Sequence, residues 1–147
     1  MPNFEFDLDP AMVINPLEIK EIVSSKNFLD GKWKEFTKHK LFNEPEVQKF
    51  YVPIDGTYWN LDVITHVDQG TVIPEHSHSE PVLRYVLKGS FELNGEEYEE
   101  GDWCLVPANL KYKIITRAGY TILSRYSEDC MECNWKALSK LPLDKLK

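Results

Sequence analysis

The chain has 147 residues, 42% hydrophobic and 28% charged, with a formal net charge of -7 from 24 acidic against 17 basic side chains. That length suits one domain with a core large enough to need no staples, and the composition is that of an ordinary globular protein. The negative balance repels phosphate backbones and anionic lipid surfaces, so neither nucleic acid nor a membrane is expected as a partner. With no basic start ahead of an apolar core at the N-terminus, a cytoplasmic location is the default expectation.

Asn15, Pro16 and Glu18 have the spacing of a helix N-terminus ahead of Ile19, Ile22 and Val23, and predict a short helix there. Residues 28 to 48 mix lysines, aromatics and a proline, and read as irregular chain with a strand near Trp33 to Phe36. From Tyr58 the pattern changes to short β-branched and aromatic runs: 58–67, 82–87, 91–93, 97–98, 103–106, 112–116 and 120–126. Asn94-Gly95 marks a two-residue hairpin and Ala118-Gly119 a second turn. Strands at such regular spacing favour a sandwich or small barrel. Trp135, Leu138 and Leu141 are spaced for a C-terminal helix packed on its outside. One structural domain is expected, with an arm, short helix and covering segment over 1–57, a barrel core over 58–126 and the closing helix over 127–147.

The most informative stretch runs from Gly70 through Pro74-Glu-His76-Ser-His78-Ser-Glu80-Pro-Val82 to Tyr85-Val-Leu-Lys-Gly89. Residues i and i+2 of a strand point the same way, so His76 and His78 can face one centre and form half a site for a divalent metal. Cys130 and Cys133 form a lone Cys-x-x-Cys and Cys104 stands apart, which implies no disulfide framework.

The run Gly70-x5-His76-x-His78-x3-Val82-x6-Gly89 resembles the first cupin motif, with Val82 where that motif has a glutamate. Gly101-Asp-Trp-Cys-Leu-Val-Pro107-Ala-Asn109-Leu-Lys-Tyr112 resembles the second, with Asn109 in place of a glycine and Tyr112 in place of a metal-binding histidine. The resemblance implies an all-β fold, a double-stranded β-helix (cupin) barrel with short flanking N- and C-terminal helices. Within cupins the chain is most similar to anti-sigma-factor-type cupins and to the dihydroxyacetophenone and acetylacetone dioxygenases. That likeness implies a divalent metal, iron first and otherwise zinc, nickel or manganese, a small-molecule ligand or substrate, and a homodimer made through an N-terminal arm around Met12-Val-Ile14.

Three protein ligands stay open as the partner of His76 and His78. Glu80 shares their face if the strand continues, His66 serves if its side of the 58–67 alternation lines the cavity, and Tyr112 could ligate as a phenolate once a cation is present. Water is the fourth candidate. Arg84 shares a strand face with Val82 and Val86, which the cupin register turns into the barrel. There it either pairs with Glu80 or Asp62, or grips a carboxylate or enolate with bidentate hydrogen bonds. Arg84 and Tyr112 are thus the expected catalytic residues, and His76, His78 and Glu80 the expected metal ligands. Three functions are consistent with this pattern: a mononuclear, dioxygenase-like enzyme acting on a small oxyanionic or dicarbonyl compound, a non-catalytic ligand- or metal-sensing module, and a barrel whose metal site is degenerate.

Overall fold

The computed structural model describes residues 9–40, 45–127 and 139–146. Among these, nine antiparallel strands are present: β1 (Val23–Ser24), β2 (Leu61–Val67), β3 (Thr71–His76), β4 (Val82–Leu93), β5 (Glu96–Glu99), β6 (Trp103–Val106), β7 (Tyr112–Ile115), β8 (Tyr120–Tyr126) and β9 (Ser139–Lys140). They form two layers. One runs β1-β6-β4-β8-β2, the other β9-β3-β7-β4-β5. The long β4 belongs to both, pairing with β6 and β8 at its start and with β5 and β7 at its end. This is the expected cupin barrel.

The change of layer falls at Gly89. Its φ is +78°, and a Cβ there would stand 2.1 Å from the Gly119 carbonyl oxygen, so only glycine admits this close approach. Asn94 and Gly95 both have positive φ, the type I′ geometry that twists β4 and β5 together.

Two cores result from the two-residue alternation. Val82 and Val86 point inward with Phe91, Leu93, Tyr98, Val106, Tyr112, Ile114 and Ile122. Leu83, Leu105, Trp59 and Trp103 belong to an outer cluster covered by Ile14, Trp33 and Ile54. Because both faces of β6 are covered, all four of its residues are buried. Trp103 is fully buried, with Trp33 edge-on at 5.6 Å; removal of such a side chain costs about 3 to 5 kcal/mol.

The expected N-terminal helix does not form. Asn15 accepts the Leu17 N–H at 3.0 Å and closes one turn, but Val23 and Ser24 leave it to pair with β6 as β1. Hydrogen bonds to an otherwise unpaired β6 edge outweigh a weak local helical preference. Trp33–Thr37, read as extended, is instead the short helix α1; its ends Trp33 and Thr37 are both buried, and the Thr37 hydroxyl donates to the Trp33 carbonyl at 2.9 Å. The predicted C-terminal helix lies largely outside the described residues, and its end is strand: Ser139–Lys140 pairs with β3 as β9. No described helix is long and apolar enough to cross a membrane.

Candidate functional site

His76 closes β3, and its Cα partner is Tyr112, the first residue of β7. The two rings lie 4.6 Å apart. His76 Nδ1 is 2.8 Å from the Pro74 carbonyl oxygen, which can only accept, so Nδ1 carries the proton and Nε2 the lone pair. The strand stops there, and His78 stands in the following loop with its ring 4.9 Å from that of His76 in an edge-to-face arrangement. The loop is pinned by the Asn109 N–H, which donates to the His78 carbonyl at 2.7 Å. Asn109 itself adopts φ +66°, the left-handed conformation that a glycine at this motif position would take without strain.

His78 is 8% exposed, and its Nε2 lies 2.8 Å from the Tyr112 hydroxyl. Burial, with Arg84 and His76 adding repulsion, pushes the imidazole pKa down to about 4, so it is neutral near pH 7. Arg84 reaches the same hydroxyl from β4, donating from Nη2 at 2.5 Å, and its guanidinium carbon sits 5.4 Å from the Tyr112 ring centroid. Nη1 donates to Ser124 Oγ at 3.3 Å; Ser124 is the Cα partner of Arg84 on β8. Nε is buried without an acceptor.

The inward direction expected of Arg84 is therefore observed, but neither expected carboxylate pairs with it. Asp62 is bound by Arg125 Nε at 2.9 Å, and Glu80 accepts a hydrogen bond from the Tyr58 hydroxyl. Burial pushes Tyr120 and Cys104, which also act on Arg84, up to about 12, so both are neutral. A guanidinium that stays charged in any folded protein thus stands 6% exposed with no carboxylate partner among the described residues.

His66 does not belong to this group. It faces solvent on β2, with Nδ1 2.8 Å from Thr121 Oγ1, because the outward face of that strand takes Asp62, Ile64 and His66. Cys130 and Cys133 lie outside the described residues, and Cys104 is a buried core thiol. Sequence reasoning missed Ser124, although its signal is a hydroxyl in phase with inward Tyr120 and Ile122 on β8.

The donor set can be weighed against a divalent cation. Two imidazole rings lie 4.9 Å apart, but among the described residues no group of three or more His, Cys, Asp and Glu side chains comes together. The nearest oxygen is the Tyr112 hydroxyl, already held by Arg84, whose own charge opposes a cation. These residues supply half of a metal site and do not fit a complete one.

A closed antiparallel barrel with a His-x-His corner is a cupin. Residues 46–126, more than half of the chain, match the family model described as the ChrR cupin-like domain, and the chain belongs to that family. Among solved structures it is similar to an RmlC-like cupin from Shewanella frigidimarina NCIMB 400, at 22% identity over 51% of this chain and 71% of the other, with a TM-score of 0.46. The anti-sigma ChrR, in complex with SigE of Rhodobacter sphaeroides, matches at 18% identity over 46% of this chain and 39% of the other, TM-score 0.42. Salicylate 1,2-dioxygenase of Pseudoaminobacter salicylatoxidans, in complex with gentisate, matches at 17% over 45% of this chain and 19% of the other, TM-score 0.41. The chain thus spans well under half of the latter two. No curated protein matches it.

Proposed function

We propose that the barrel binds a small oxyanionic compound, a carboxylate or the enolate of a dicarbonyl, with Arg84 as its anchor and Tyr112, His78 and Ser124 around it. The observation that carries this reading is the buried Arg84 charge, which has no carboxylate partner among the described residues and an Nε without an acceptor among them. An anion supplies the missing counter-charge and accepts from the guanidinium. Tyr112 is positioned to pass its hydroxyl proton toward the ligand or toward the neutral His78, the acid–base role open to it if the ligand is a substrate. The test is calorimetric titration of chelator-treated protein with acetate, 2-oxobutanoate and acetylacetonate, beside acetamide as neutral control. Charge-assisted hydrogen bonds predict a loss of about tenfold to a hundredfold in Arg84→Met. Equal affinity in Arg84→Met, or equally tight acetamide, would reject the anchor.

A second reading is favoured by the His76 geometry, since an Nδ1 fixed on the Pro74 carbonyl leaves Nε2 oriented as a ligand. In it a divalent metal, iron first, binds His76 and His78 with Glu80 or oxygen atoms of the bound compound, as in a mononuclear dioxygenase-like enzyme. Elemental analysis of wild type beside His76→Ala/His78→Ala decides it: near-stoichiometric metal that the double variant loses supports a metalloprotein, whereas equal trace metal leaves the binding barrel alone.

A further inference from the structure

A cavity of about 660 Å³ lies on the opposite side of the same two strands, away from the barrel interior. The barrel contributes Leu83 and Arg125, which are Cα partners on β4 and β8, next to the inward pair Arg84 and Ser124. The covering segment contributes Val13, Val52 and Ile54, which with Leu83 make apolar walls. Three features make it more than a gap between layers. Trp59 lines it and is 7% exposed, which adds an aromatic wall. Arg125 spends only Nε on Asp62, leaving both terminal nitrogens without a partner among the described residues. Nη1 stands close to Gly56, 3.7 Å from where a Cβ would be, so the missing side chain keeps the guanidinium uncovered. Asp55, the single carboxylate on the walls, is occupied by the Thr57 N–H at 3.0 Å and the Thr57 hydroxyl at 2.7 Å.

We infer that this outer cavity is a second ligand site, separate from the barrel interior, for a planar apolar carboxylate. The ring system packs between Leu83, Trp59 and the covering segment, and the carboxylate accepts from the terminal nitrogens of Arg125. The reading stands independently of what the barrel binds, and its test separates the two sites. Full-length protein labelled with nitrogen-15 is titrated with 2-naphthoate and with the neutral 2-naphthamide, following the Trp59 indole N–H resonance, assigned by its disappearance in Trp59→Phe, together with calorimetric affinity. The Trp59 resonance moves on saturation with naphthoate, Arg125→Met weakens binding about tenfold or more, Gly56→Leu blocks it, and Arg84→Met leaves it unchanged. Loss of the Arg125–Asp62 pair is tolerable because both side chains are substantially exposed. An unmoved Trp59 resonance, affinity lost in Arg84→Met instead of Arg125→Met, or naphthamide binding as tightly as naphthoate would each overturn the proposal.

Discussion

Arg84 donates to the Tyr112 hydroxyl at 2.5 Å, at the position where the second cupin motif sets a histidine. A phenol accepts from a buried cation where an imidazole aimed at a metal would not, so the guanidinium indoors and the tyrosine on β7 are physically coupled. The same hydroxyl faces neutral His78, and the group forms a short polar chain from β4 through β7 to the loop after β3.

Because the buried Arg84 charge has no carboxylate partner among the described residues, its desolvation opposes folding. Arg84→Met is therefore expected to raise stability in ligand-free protein, on the order of 1 kcal/mol, while weakening anion binding. Urea denaturation with and without the best-bound anion checks both signs. A destabilised Arg84→Met protein would mean that its hydrogen bonds to Tyr112 and Ser124 outweigh the burial of charge.

The pH dependence follows from His78. Its folded pKa of about 4 lies below the ordinary value of 6.5, so between those values the unfolded chain takes up a proton that the native state refuses. Stability from this residue is intact above pH 6.5, declines as pH falls toward 4, and then levels off. His78→Gln should flatten this part of the stability curve, measured by urea midpoints across that range; an unchanged slope would place the acid sensitivity elsewhere.

Restoring an imidazole at Tyr112 gives a direct reading of the missing ligand. Tyr112 is the Cα partner of His76, so Tyr112→His places a third imidazole beside the existing pair. Zinc or iron affinity should rise on the order of tenfold or more, and further when combined with Arg84→Met, which removes the opposing charge. Competition with a chromophoric chelator measures it. No gain in either variant would show that the pair cannot converge on one ion.

Two backbone positions should respond oppositely to alanine and glycine. Gly89→Ala drives a methyl into the Gly119 carbonyl at 2.1 Å in a left-handed conformation and should abolish folding of the barrel, read as loss of soluble, cooperatively unfolding protein. At Asn109, φ +66°, glycine should be neutral or slightly stabilising and alanine destabilising by about 1 kcal/mol. Because Asn109 pins the His78 loop, the alanine variant should also weaken whatever the barrel binds.

The strands β5 through β8, the Asn94-Gly95 turn and the inward phase of Val82, Arg84 and Val86 were legible in the chain, because a two-residue alternation and turn chemistry act between near neighbours, whereas β4 read as two strands, 82–87 and 91–93, and is one that passes through Gly89. The nearness of His76 and His78 was legible too, although the strand ends between them and a loop pinned by Asn109 holds the rings 4.9 Å apart. What only the tertiary structure decided depends on distant partners. β6 draws Val23–Ser24 out of a helical pattern, and packing on Trp103 folds Trp33–Thr37 into a helix. Tyr58 takes Glu80 across 22 residues and Arg125 takes Asp62 across 63, which leaves Arg84 buried without either of its expected counter-charges. Local sequence sets which face a side chain occupies; which charge it meets there is set by strands that become neighbours only when the barrel closes, and in this protein that pairing shapes the candidate site.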